Sequence, residues 1–259
     1  MTSAAKAEPT ILLDVADGVA WLTYSNPRRR NAVTPAMCDK LVAAVAGLSG
    51  RDDVRAVVVR GAGERSFVAG ADITSLSARS NAISGEFKGF HALRELTVPV
   101  IAMIGGPCYG GGVVIALDSD VRIASSAARF AVPAARLGVG YGLDETAALV
   151  RLVGAGWAAR ILFTGQPIGA DIALAIGLVE EVVAPEVLEA RVRELAATIV
   201  ANAPLSVRAA KAAIRCAIDG MTESRKQAAA LIEACSVSAD FAEGREAFRE
   251  KRSPRFTGR

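Results

Sequence analysis

Two glycine-rich segments, each set between a short β-branched run and a stretch that reads as helix, constrain this chain more than any other feature. The first, Ser66-Phe67-Val68-Ala69-Gly70-Ala71-Asp72-Ile73, follows Ala56-Val57-Val58-Val59. The second, Gly105-Gly106-Pro107-Cys108-Tyr109-Gly110-Gly111-Gly112, follows Pro99-Val100-Ile101-Ala102-Met103-Ile104. Small residues at such junctions let a ligand approach the main chain, where unpaired N–H groups and the positive end of a helix favour negative charge. Two such donors aimed at one point would make an oxyanion hole.

The pattern around them is an alternation of strand and helix. Thr10 to Val15 and Val19 to Tyr24 are β-rich and flank Asp17-Gly18, a hairpin signature. Thr34-Pro35 predicts a helix start, with Thr34 as N-cap and Met37, Leu41, Val42, Val45 and Leu48 at helical spacing. A strand at Val57, a polar stretch from Ser75 to Gly85, a helix ending near Leu96, a strand at Val100 and another at Val121-Arg122-Ile123-Ala124 follow. Such alternation predicts an α/β fold with a largely parallel sheet. From Pro185 onward helical patterns take over.

Composition narrows the function. The net charge of +3 is small for 259 residues, and the basic clusters at Arg28-Arg29-Arg30 and Arg245 to Arg259 lack interleaved aromatics, so no nucleic-acid partner is expected. No uninterrupted apolar run reaches the ~18–20 residues that span a bilayer. Met1 to Pro9 carries Lys6 and Glu8 without an apolar core, unlike a secretory signal. A cytoplasmic protein with no membrane partner is the expectation. Cys38, Cys108, Cys216 and Cys235 have no metal-ligand or redox spacing, so no metal site is expected. The single histidine, His91, is assigned a packing or surface role. Val113-Val114 after the triple glycine, in place of Lys-Ser/Thr, excludes a P-loop.

Together with Asn26-Pro27-Arg28-Arg29-Arg30-Asn31-Ala32, Phe163-Thr164-Gly165, Ala173-Leu174-Ala175-Ile176-Gly177-Leu178-Val179 and the ending Glu243-Gly244-Arg245-Glu246-Ala247-Phe248-Arg249-Glu250-Lys251-Arg252, the two glycine segments resemble the crotonase (enoyl-CoA hydratase/isomerase) superfamily, from about Ile11 to Phe256. The resemblance implies a crotonase-like spiral of ββα repeats over residues 1–200, binding coenzyme A, and a C-terminal helical trimerisation region over 201–259, in a homotrimer or homohexamer. It implies an acyl-CoA substrate with no separate cofactor, coenzyme A being part of the substrate. The enolate would be held by the backbone N–H groups of Ala71 and Gly111. Arg28, Arg30, Ala32, Ala69, Asp72 and Ile73 match the positions that hold the CoA nucleotide, where guanidinium groups suit phosphate oxygens. Phe248 and Lys251 match positions that reach the CoA of a neighbouring subunit. The alternative for Asp72 is a helix cap, and for Phe248 ordinary helix packing.

The pattern breaks at the acids. Hydratases of this family add water with two glutamates, one acting as acid and one as base; the matching positions are Val114 and Ala134. Some isomerases place an aspartate four residues after the position of Gly138, which here is Gly142. Tyr141 matches a tyrosine of methylmalonyl-CoA decarboxylase-like members and is assigned to orient a carboxylate or deliver a proton, the alternative being a wall residue. Asp144 or Glu145 as base competes with a role in starting the helix that follows. The expectation is therefore decarboxylation, isomerisation or other lyase chemistry; the alternative is a non-catalytic acyl-CoA-binding or scaffold protein.

Overall fold

The computed structural model describes residues 8–63, 65–72, 74, 88–219 and 221–259. The polar stretch 75–85 and Ile73 lie outside them. In chain order the strands are β1 (Thr10–Ala16), β2 (Val19–Ser25), β3 (Ala56–Gly61), β4 (Val100–Ile104), β5 (Pro107–Tyr109), β6 (Val121–Ser125), β7 (Arg129–Ala131), β8 (Ile168–Gly169) and β9 (Glu181–Val183). The helices are α1 (Pro35–Leu48), α2 (Gly111–Leu117), α3 (Leu143–Thr164), α4 (Ala170–Ala175), α5 (Leu188–Ala201), α6 (Pro204–Asp219), α7 (Thr222–Ser236) and α8 (Ala239–Glu250).

The hairpin forms as expected: β1 and β2 pair antiparallel across Asp17 and Gly18, whose φ angles of 51° and 77° match the twist of the strands they join. Parallel pairing then extends the sheet in the order β1-β2-β3-β4-β6-β9. A second sheet, β5-β7-β8, lies after the glycine segment that ends β4.

Both faces of the main sheet are covered, which is why its strands read as continuous apolar runs. Leu22, Tyr24, Val57, Val59, Val100 and Ala102 face a core that includes Met37, Leu41 and Val45 of α1. Their neighbours Trp21, Val58, Ile101 and Ile123 face Leu188, Val192 and Ala196 of α5. Thr34 caps α1, its hydroxyl accepting from the Met37 amide at 3.2 Å. Val42, expected on the buried stripe, is half exposed.

The helix expected to end near Leu96 is a 3-10 run from Lys88 to Glu95. Gly89 approaches α1 so closely that a Cβ there would lie 2.6 Å from the Cys38 Cβ. Packing against α1, not intrinsic helix propensity, sets this segment's form.

Helix α3 has, by length and composition alone, what a bilayer span needs, with mean hydropathy 1.4. Gly154, at φ 73° and ψ 162°, breaks it into two shorter pieces, and Leu149, Val153, Ala158 and Ile161 are buried in the core. Helices α6, α7 and α8 make up a helical C-terminal region. Buried Lys211 ties α6 to the sheet: its Nζ donates to the Val98 carbonyl and pairs with Asp120, each at 2.7 Å.

Candidate active site

The two glycine segments meet. Val68 and Cys108 form one isolated parallel bridge and Val33 and Ala71 another. In the second, the Val33 amide donates to the Gly70 carbonyl at 2.8 Å and the Asp72 amide donates to the Val33 carbonyl at 2.7 Å. Ala71, lying between those two bonds, turns its own N–H to the opposite side. Gly111 opens α2, where the leading N–H groups have no intrahelical acceptor. Neither amide finds an acceptor among the described residues.

Glycine is required at this crossing. Gly70 has φ 94° and Gly110 φ 50°, a region that L side chains rarely adopt. A Cβ on Gly70 would stand 3.1 Å from the Tyr109 carbonyl oxygen and 3.6 Å from the Gly111 nitrogen, and one on Gly112 would strike the Val68 carbonyl. The backbones therefore approach more closely than any side chain would allow.

The arginine loop is fastened to the same place. Asn31, at φ 59°, donates through its amide to the carbonyls of Ala62, Ser66 and Phe67 at 3.1, 3.1 and 3.2 Å, and accepts from the Asn26 N–H at 3.1 Å. The Ala69 N–H donates to the Arg30 carbonyl at 3.1 Å, beside buried Ala32. Arg28 and Arg30, both exposed, line a cleft of about 660 Å³ together with Arg65. Arg65 is a member that the sequence reading missed, because it stands apart from the Arg28-Arg29-Arg30 cluster and only the fold brings it alongside.

Asp72 is different. Its carboxylate is buried and accepts from the Arg29 guanidinium at 2.9 Å, the Thr74 amide at 3.1 Å and the Thr74 hydroxyl at 2.8 Å. These bonds fit the structural alternative for the side chain, leaving its backbone as the part beside the cleft.

Tyr141 packs against the core just before α3. Its hydroxyl is buried without a hydrogen-bond partner among the described residues. Burial first, then the charge of Glu145, pushes its pKa far above the ordinary phenol value, so it is a neutral donor lacking an acceptor. Val114 is buried in the core and Ala134 packs against it.

His91 corrects the expectation of a packing or surface role. Its Nδ1–H donates to Asp118 Oδ2 at 2.7 Å and its Nε2–H to Glu145 Oε1 at 3.0 Å, while the Arg94 Nε–H donates to Asp118 Oδ1 at 2.7 Å. Two carboxylate acceptors call for protons on both ring nitrogens, hence an imidazolium. The Asp118 bond foremost holds the His91 pKa above its ordinary value, against the lowering effects of burial and Arg94. Glu145 bends back over Gly142: a Cβ on Gly142 would lie 2.6 Å from its carboxyl carbon. The space left by the missing side chain at 142 is thus occupied by the Glu145 carboxylate. Asp144 shares the first turn of α3, the helix-starting place expected of both acids.

Phe248 and Lys251 are not brought to this site within one chain. Phe248 is 89% exposed on α8, which rules out ordinary helix packing, and lines a separate cleft with Ile232, Phe241 and Arg245. Lys251 is exposed at the left-handed end of α8.

Comparison with known proteins agrees with this architecture. Residues 14–259 match the family model described as enoyl-CoA hydratase/isomerase. The chain is 39% identical over 252 residues to the short-chain-enoyl-CoA hydratase of Clostridium acetobutylicum, covering 93% of this chain and 95% of that one. It is 31% identical over 252 residues to the methylmalonyl-CoA decarboxylase of Escherichia coli K12, with the same coverages of 93% and 95%. The crystal structure of the enoyl-CoA hydratase from Bacillus anthracis superposes with a TM-score of 0.88 at 32% identity, covering 96% of this chain and 99% of that chain. The chain belongs to the enoyl-CoA hydratase/isomerase, or crotonase, family.

Proposed function

We propose that this protein processes an acyl-CoA thioester through an enolate whose oxygen is held by the N–H groups of Ala71 and Gly111. The observation that carries the reading is the pair of acceptorless amides at a glycine-only crossing of two loops. An enolate concentrates charge on the thioester oxygen, so two preorganised donors stabilise it more than the substrate carbonyl; one such donor contributes roughly 10²–10³ in rate. Arg28, Arg30 and Arg65 supply cationic groups for the phosphates of coenzyme A, and the family resemblance adds Ala32, Ala69, Asp72 and Ile73 to the CoA-binding set.

By the family resemblance, valine at 114 and alanine at 134 stand where hydratases carry their paired acids, which argues against ordinary hydration. Decarboxylation or double-bond isomerisation needs the enolate but not that pair, and Tyr141 offers a neutral hydroxyl to a substrate carboxylate. Similarity to a methylmalonyl-CoA decarboxylase supports this. Similarity to a short-chain-enoyl-CoA hydratase favours a second reading, hydration by a different acid. A panel of crotonyl-, 3-enoyl-, malonyl-, methylmalonyl- and β-oxoacyl-CoA decides between them: carbon dioxide release or double-bond migration supports the first, water addition the second. Tight acyl-CoA binding without any turnover would instead make the protein a binding module.

The same reading includes self-assembly into a homotrimer or homohexamer. Ile214, Ile218, Ile232, Val237, Phe241 and Phe248 on and between the last three helices are exposed, more apolar surface than a monomer usually leaves clustered. Phe248 and Lys251 would then meet a neighbour's CoA. Light scattering coupled to size exclusion tests this, and a monomer at micromolar concentration would refute it.

A further inference from the structure

We propose that Glu145, aimed by the His91–Asp118 pair, is the group that exchanges the proton at the α-carbon of the bound thioester. This rests on the enolate reading above and names the base it leaves open.

The placement comes from four contacts. Phe90 rests against Gly111, one of the two amide donors, and His91 follows it directly. His91 holds Glu145 Oε1, while Oε2 makes no hydrogen bond among the described residues. Glu145 and Cys108, which lies in the strand leading to Gly110-Gly111, both act electrostatically on Tyr141. The carboxylate is thus held between His91 and Gly142, with its second oxygen bonded to no described residue and its side chain only partly exposed.

The charges balance around it. Arg94 and His91 face Asp118 and Glu145, and the phenols of Tyr141 and Tyr24 and the thiol of Cys108, all raised in pKa by burial, remain neutral. Asp118 fixes the ring by its Nδ1–H, leaving the Nε2–H for Glu145; His91 and Asp118 are positioning residues. In the step, Glu145 takes the α-proton, the C–H electron pair passes into the thioester carbonyl, and the resulting enolate oxygen is met by the Ala71 and Gly111 amides. With a saturated acyl chain, Glu145 trades its proton with solvent and returns one to the α carbon, which is exchange; with a 3-enoyl chain, delivery of the proton to the γ carbon of the dienolate completes isomerisation.

The test is deuterium wash-in at the α-carbon of butyryl-CoA in D2O, followed by NMR, on the full chain. Wild type should exchange, Glu145→Gln should lose at least ~100-fold, within the range of general acid–base contributions, and His91→Gln should lose less but change the pH profile. The wild-type rate should fall at high pH as the imidazolium loses the N–H that holds Glu145, and this limb should vanish in His91→Gln. Thermal melting confirms that each variant is folded, and Glu145→Asp should recover part of the exchange. Exchange retained within about threefold in folded Glu145→Gln overturns this assignment and leaves the enolate reading standing. A wild type that binds butyryl-CoA without exchanging any α-deuterium overturns both.

Discussion

The tip of the Phe90 ring rests on Gly111: a methyl group at residue 111 would lie 2.7 Å from Phe90 Cε1. Glycine there allows the ring to press on the start of α2 and fixes where the amide points. Gly111→Ala should therefore displace the amide from the thioester oxygen and lower kcat by about 10²-fold, the effect of losing one oxyanion donor. Adding Phe90→Leu should restore part of the loss by making room. Steady-state kinetics of the single and double variants checks this, and equal loss in both would point to another cause.

Arg28, Arg30 and Arg65 line one cleft, and their guanidinium groups bond to no other described side chain. Single changes to Ala should raise KM for an acyl-CoA roughly 3–10-fold and also lower kcat, since part of the binding energy at the nucleotide is spent on holding the reacting end in the transition state. An acyl-pantetheine without the nucleotide should be indifferent to all three changes.

Asn31 bonds to three carbonyls and one amide within a buried turn. Asn31→Ala should leave several of these groups unsatisfied and cost about 3 kcal/mol, given ~1–3 kcal/mol for each orphaned buried group. Urea unfolding measures it. Asn31→Gly restores none of the bonds but adopts the left-handed φ of 59° without strain, so it should cost somewhat less than alanine.

Burial pushes the Lys211 pKa down to about 8, the largest cause, partly opposed by Asp120. Because the unfolded lysine binds its proton up to a higher pH, the unfolded chain holds more protons between about pH 8 and pH 10.5. The lysine's contribution to stability is therefore least below pH 8 and rises through that window. Lys211→Met should remove the rise, while costing about 2 kcal/mol near neutral pH because Asp120 and the Val98 carbonyl lose a donor. Melting curves from pH 6 to 10 separate the two effects.

Local rules made much of the fold readable. The Asp17-Gly18 turn, the Thr34 cap and the apolar runs of β3 and β4 each express a short-range preference that the structure keeps. The 3-10 form of residues 88–95 was not readable, since it depends on contact with α1 rather than on its own residues. The same holds for the site. The family resemblance points to Ala71 and Gly111, but Arg65 and the His91–Glu145 contact arise from residues distant in sequence that only the fold brings together. His91 looked bland because nothing within ten residues of it in the chain is Asp118 or Glu145. The place of the Glu145 carboxylate over Gly142 was hidden for another reason: a glycine shows what is missing at its own position, not which side chain leans into the space.

The Val33–Ala71 bridge joins the loop carrying Arg28 and Arg30 to the backbone that carries one amide donor. Grip on a ligand's distant end and contact with its reacting oxygen therefore share a single stiff piece of main chain. Under the proposed function, the nucleotide serves as a handle that braces the amide during the chemistry. Cutting the handle from the substrate would then slow the bond-making step itself, beyond any loss of occupancy.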